Sequence, residues 1–158
     1  MTQRIPMTPN GKSKLMDRLK YLKQVERPRN VEAIEVARGH GDLSENADYD
    51  AAKEKQRHIS REMLEIENQL ALSQVIDPSK LDSEKVVFGA TVAIVNVDNG
   101  EEAKYYIVGT NEADINAGMI SIESPIARAL IGKEEGDEAK VRTPKGIRTF
   151  EILGIEYR

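Results

Sequence analysis

Between Thr8 and Val75 the apolar residues recur at helical spacing, whereas beyond residue 85 they alternate or gather in short runs. "TPNGKSKLMDRLKYLKQ" opens on turn residues and then sets Leu15, Leu19 and Leu22 four and three apart, the step of one helix face. Pro28 interrupts the stripe because it brings no N–H to the helix ladder. Val31, Ile34 and Ala37 are expected to resume it, as far as Gly39 and Gly41. The next stripe is more regular. Tyr49, Ala52, Gln56, Ile59, Met63, Ile66 and Leu70 alternate steps of three and four, with charge nearly everywhere else. This is a coiled-coil seam with one polar member, Gln56. Two such helices joined by a short glycine-bearing connection bury their stripes by packing antiparallel on each other. With roughly 28 residues per arm, the hairpin would reach about 40 Å.

"VIDPSKLDSE", residues 75–84, gathers Pro, Ser and Asp and reads as a linker. After it come "TVAIVNV", "KYYIVG", "MISIES", "EAKVRT" and "RTFEILGIEY", separated by turn signals such as "DNG" and "PKG". One helix interrupts them in "SPIARALIGK", with Ser124 as N-cap, Pro125 at the first helical position and Gly132 at the end. The expected fold class is therefore α+β. Residues 1–76 form an antiparallel helical hairpin, 77–82 a linker, and 83–158 a small antiparallel β-sheet domain with one short helix.

Composition narrows the chemistry. Of 158 residues 32% are charged and 39% hydrophobic, a surface-rich balance that suits an elongated molecule. A net charge of −4 argues against general affinity for a nucleic-acid backbone, although a local basic stripe is compatible with it. The sequence holds no cysteine, which excludes disulfides, thiolate zinc sites and cysteine nucleophiles. His40 and His58 are too few for a histidine-rich metal site. "MTQRIPMTPNGKSKL" has no apolar run of the signal-peptide kind and no stretch approaches a membrane span, so a cytoplasmic location without a membrane partner is expected.

The acids concentrate where the hairpin should turn. "ARGHGDLSENADYDAAKE" sets Asp42, Glu45, Asp48 and Asp50 between Arg38 and Lys53. Asp42 three residues before Glu45 fits a capping box, with Asp42 at the N-cap and Glu45 at N3. That spacing alone leaves Asp48 and Asp50 as solvated charges. The D-x-[DN]-x-[DN]-G pattern of a calcium loop is absent. Magnesium is the remaining candidate, since it takes one or two protein carboxylates and completes its shell with water and phosphate oxygens. A bare pair would hold it weakly. Inserted into a site that already carries a metal and a phosphodiester, the pair would supply half of a two-metal centre.

These residues resemble the tip of the bacterial Gre transcript-cleavage factors. The likeness continues in "IPMTPNG", "LKQVERP", "VVFGATV" at 86–92 and "SPIARALIGKEEGD" at 124–137, in the family's order from end to end. "DLSENADYDAAKE" is closer to the GreA branch than to the GreB branch. The resemblance implies a coiled-coil hairpin that enters the secondary channel of RNA polymerase, and an FKBP-like domain that docks at the channel's rim. It implies that Asp42 and Glu45 help hold a second Mg2+ shared with the polymerase, so that the polymerase itself cuts the backtracked RNA. Ser44 and Asn46 stand beside the acids as candidates for orienting water. Arg38, Lys53 and Arg57 are candidates for guiding the nascent RNA 3′ end by its phosphates, with Arg61 weaker; Lys53, Arg57 and Arg61 share one helix face. Ser124, Pro125, Ile126 and Ala127 are the candidate docking residues.

On this reading the chain is an accessory factor, monomeric when free, and not an enzyme. Tyr49 sits at a seam position and reads as packing, and prolyl isomerase activity lacks an aromatic-lined pocket. Two other readings remain at this level: an inhibitory paralogue using the same channel, and a coiled-coil adaptor whose tip acids only cap a helix.

Overall fold

The computed structural model describes residues 3–41 and 46–157, and the chain divides into two compact units. One comprises Lys12–Ser73 and the other Arg4–Gly11 with the chain from Gln74 onward.

The first unit is the helical hairpin. Helix α1 (Pro9–Tyr21) runs through a five-residue π turn, Leu22–Glu26, into α2 (Arg27–Arg38), and α3 (Ala47–Ala71) returns. Cross-arm contacts climb on one side as they descend on the other: Arg18 with Glu62, Asn30 with Gln56, Ala37 with Asn46. The arms are therefore antiparallel, as the stripes require.

Pro28 explains the π turn. Its missing N–H and its ring both conflict with the carbonyl of Gln24, and a wider turn relieves the conflict. Arg27 N–H reaches back five residues to Leu22 C=O. The extra residue shifts the buried stripe by one. Asn30, Ile34 and Ala37 face α3, while Val31 is 47% and Val36 59% exposed. The expected place of Val31 in the seam is thus taken by Asn30.

The two ends of the hairpin are held differently. Towards the base, buried Leu22, Ile59, Met63 and Ile66 pack with Leu15, Leu19 and Leu70. Each fully buried Leu or Ile there contributes about 1.5–3 kcal/mol. Arg18 adds a bidentate pair to Glu62 at 2.8 and 3.0 Å and lies 3.5 Å from Glu26. Towards the tip Ile34 is the large described seam residue, among the small or polar Asn30, Ala37, Ala52 and Asn46. Asn30 Nδ2 donates to Ala52 C=O at 2.8 Å and to Gln56 Oε1 at 2.9 Å.

The second unit holds a five-stranded sheet in the order β5-β4-β3-β7-β6, made of β3 (Ala90–Asn96), β4 (Glu102–Val108), β5 (Met119–Ser121), β6 (Glu138–Thr143) and β7 (Gly146–Tyr157). Three of its pairings are antiparallel, but β4 and β5 run parallel, with Ile107 opposite Ile120. The expectation of a purely antiparallel sheet is corrected on this point. Two short 3₁₀ turns, Thr110–Glu112 and Ile115–Ala117, carry the chain back so that β5 starts in the direction of β4. Helix α4 (Pro125–Leu130) covers one face, and Ala127 and Leu130 join Val92, Ile94, Ile107, Ile120, Ala139 and Ile152 in the core.

Residues 4–11 are also a correction, because the expected boundary gave them to the hairpin. Strand β1 (Ile5–Met7) pairs with β2 (Ser73–Val75), and Ile76 N–H donates to Met7 C=O at 2.9 Å. Thr8, 3% exposed, donates through its backbone N–H (3.0 Å) and its hydroxyl to the Glu112 carboxylate. The stretch expected to be a plain linker is structured as well. Pro78 is buried within a 3₁₀ turn, Pro78–Lys80, and Asp77 caps that turn through Ser79. Among the described residues, no helix is long and apolar enough to cross a membrane.

Candidate functional site

Helix α2 stops at glycines. Gly39 N–H bonds Glu35 C=O, His40 N–H bonds Ala37 C=O, and Gly41 adopts a φ of 97°, which suits a residue without Cβ. Five residues later Asn46 opens α3. Asp42, Ser44 and Glu45 lie outside the described residues; Gly41 and Asn46 are their described flanks.

The N-cap of α3 is Asn46, with Tyr49 three positions on, and not Asp42 with Glu45. Asn46 Oδ1 accepts the Tyr49 N–H at 3.0 Å. The capping-box expectation is therefore corrected, since both tip acids precede the cap residue. Asp48 and Asp50 fall in the first turn of α3 instead, where carboxylates favour the positive end of the helix dipole. Those two have a structural explanation in the first turn of α3.

Asn46 is also not an open water-orienting group. It is 8% exposed, and its Nδ2 donates to Ala37 C=O at 2.6 Å while its Oδ1 caps Tyr49. Both halves of the amide are occupied by protein. His40 Nδ1 lies 3.8 Å from Asp48 Oδ2, across the same turn. Among the described residues no group of three or more His, Cys, Asp or Glu is arranged to hold a metal ion.

The basic candidates are placed along the two arms. Arg38 is exposed and paired with Glu35 at 3.3 Å, one turn away. Arg57 pairs with Glu54 at 2.6 Å, and its guanidinium holds the Glu54 carboxyl below the usual carboxylate range. Such exposed pairs are weak. Lys53, half-buried on the same helix, has no ion pair with a described residue.

In the second unit Ser124 caps α4, its Oγ accepting Ala127 N–H at 3.2 Å, and Pro125 follows exposed. Ile126 is half-buried and packs on the core. Ala127 is fully buried, so the expectation that it offers a docking contact is corrected: its methyl belongs to the core under the sheet.

Pattern reading misses one residue, Asn30, and the capping role of another, Asn46. Asn30 is polar and was passed over for its apolar neighbour. Asn46 carried a usable signal, an N-cap residue directly before "ADYD" with its two first-turn acids.

The family model described as transcription elongation factor, N-terminal, matches residues 5–75, and that described as transcription elongation factor, GreA/GreB, C-term, matches residues 81–157. The transcription elongation factor GreA of Hyphomonas neptunium is 56% identical over 156 residues, 99% of either chain. That of Phenylobacterium zucineum is 54% identical over 155 residues, 98% of this chain and 99% of its own. The crystal structure of GreA factor homolog 1 from Thermus thermophilus is 22% identical, covering 98% of this chain and 99% of that one, with a TM-score of 0.45.

Proposed function

The chain belongs to the GreA/GreB family of transcription elongation factors, on its GreA branch, and we propose that it rescues backtracked RNA polymerase by stimulating cleavage of the nascent transcript. The hairpin enters the polymerase's secondary channel, and the second unit docks at the rim through the surface around Ser124, Pro125 and Ile126. The chain works in the cytoplasm as an accessory factor, and the polymerase supplies the catalytic centre.

The observation that carries this reading is the position of the acids. Asp42 and Glu45 occur in the connection between two antiparallel arms, ahead of Asn46, the residue that caps α3. Two carboxylates are hard oxygen donors suited to Mg2+ but too few for a complete cage, so the ion is shared with the polymerase. Such an ion stabilises charge on the phosphodiester and lowers the pKa of an attacking water. Asp42 and Glu45 contribute ligands and orient that water. Arg38, Lys53 and Arg57 hold the extruded RNA 3′ segment by its phosphates, the two arginines after giving up Glu35 and Glu54.

Stalled, backtracked elongation complexes provide the test. The parent protein shortens the transcript, and the Asp42→Ala, Glu45→Ala double variant binds polymerase without doing so. Cleavage by the double variant would refute the mechanism. Suppressed synthesis with no cleavage by the parent would instead mark a channel-blocking inhibitor.

A further inference from the structure

We propose that Asn46 is a positioning residue for the tip, a clamp that fixes both ends of the segment carrying Asp42 and Glu45; this rests on the transcript-cleavage reading above. The clamp is one buried amide. Its oxygen accepts the Tyr49 N–H at 3.0 Å and so fixes the first turn of α3. Its nitrogen donates to the carbonyl of Ala37, nine positions earlier and in the last turn of α2, at 2.6 Å. The same Ala37 carbonyl accepts the His40 N–H at 3.1 Å, so the departing chain and the returning chain meet on one oxygen. Asn46 is 8% and Ala37 2% exposed, which shields the junction from competing water.

The chemistry demands an amide. A carboxylate at 46 would cap Tyr49 but has no donor for Ala37. A serine hydroxyl would cap Tyr49, but it sits one bond closer to the backbone than the amide nitrogen and its O–H falls short of Ala37. Among the described residues, the apolar cluster of the hairpin involves Leu22 and Ile59 but none nearer the tip. Among the described residues, Ile34, Ala37 and Ala52 are the apolar ones buried in that half. The hydrogen bond from Asn46 to Ala37 ties the two described ends of that span together. Ligands for a shared metal must lie within a fraction of an ångström of their working positions, and a misplacement of about 1 Å can cost about 100-fold in rate.

The experiment compares the full-length parent, Asn46→Ser, and Asp42→Ala, Glu45→Ala on one backtracked elongation complex. It reads the maximal cleavage rate, the factor concentration giving half effect, and hydrogen exchange of the Tyr49 amide. Asn46→Ser is expected to lower the maximal rate at least ten-fold. The half-effect concentration should stay within two-fold of the parent, with unchanged exchange at Tyr49. A merely structural residue would shift binding or exchange along with the rate. Parent-like cleavage by Asn46→Ser beside an inactive double variant overturns the clamp alone. Cleavage by the double variant overturns the transcript-cleavage mechanism and the clamp with it. If Asn46→Ser speeds Tyr49 exchange, Asn46→Asp decides, since it keeps the cap acceptor and lacks the donor. A ten-fold loss with it supports the clamp, and a parent-like rate refutes it.

Discussion

Gly11→Ala is the substitution in this protein for which helix propensity and tertiary structure predict opposite signs. Gly11 sits in the first turn of α1, where Thr8 Oγ1 accepts its N–H at 3.0 Å. Alanine should stabilise a helical site by about 1 kcal/mol over glycine. Yet a Cβ at Gly11 would stand 2.1 Å from Glu112 Cδ and 2.3 Å from Oε1. No neighbour tolerates that distance, so the Glu112 carboxylate would have to leave. It would give up the Thr8 N–H, the Thr8 hydroxyl and the Gly109 N–H, the last at 3.3 Å. Thr8 is 3% exposed, and its stranded N–H alone costs about 1–3 kcal/mol. Bonds to a charged acceptor are each worth about 1.5–3 kcal/mol, so with three of them given up the loss after the propensity gain is about 3 kcal/mol or more. Urea unfolding followed by circular dichroism would read it as a lower midpoint at constant slope. In a Glu112→Ala background the obstacle is gone, and Gly11→Ala should become stabilising by about 0.5–1 kcal/mol. The reversal of sign is the diagnostic. If Gly11→Ala stabilises the parent chain, the Glu112 latch is not closed in solution and the reasoning fails.

Two further perturbations probe the hairpin. Asn30→Ala should lower its stability by about 1–3 kcal/mol by stranding Gln56, whereas Asn30→Leu, Gln56→Leu should be neutral or stabilising, because both polar partners leave together; equal losses in the two variants, measured by urea midpoints, would contradict this. The Arg18 hydrogen bond holds the Glu62 carboxyl below its ordinary value. Its contribution is therefore complete above the unfolded carboxylate range and disappears as pH falls through the depressed folded value. Glu62 is 40% exposed, which keeps the effect below about 1 kcal/mol. The stability difference between the parent and Glu62→Gln should accordingly shrink as pH is lowered, and a difference that grows instead would show that the pair is not formed.

The periodic parts of this fold were legible in the sequence because helical and alternating spacing are local. Leu15, Leu19 and Leu22 on one arm and Ile59, Met63 and Ile66 on the other occupy the buried seam as their spacing dictates. Legibility stopped at Pro28. The proline itself was visible, but the π turn that absorbs it inserts one residue of phase, and phase decides whether Asn30 or Val31 faces inward. Strands β1 and β5 are three residues each, too short to show a period, and the parallel pairing of β5 depends on the path of residues 109–118. The contact between Thr8 and Glu112 spans 104 positions, and no local pattern marks it. At the tip the identity of the candidate acids was legible while the cap was misplaced. "DLSE" matches a capping box as well as "NADY" matches an Asn cap, and only the observed start of α3 at Ala47 separates them.

The division of the hairpin into an apolar base and an amide-held tip has a physical consequence for the function proposed. Large seam residues such as Leu22, Met63 and Ile66 hold helix axes apart, whereas Ala37 and Ala52 permit the short end of the usual 8–10 Å separation. Small residues such as Ala37 and Ala52 bury little surface and cannot secure that half alone. Asn30 and Asn46 supply what is missing, each using a side-chain amide to grip a backbone carbonyl of the opposite arm, Ala52 and Ala37 respectively. These bonds are directional where alanine contacts are not, so they fix register as well as proximity. A leucine at either position would add burial and widen the tip. The same positions thus oppose stability to slenderness, and the sequence has resolved the conflict with asparagine at both.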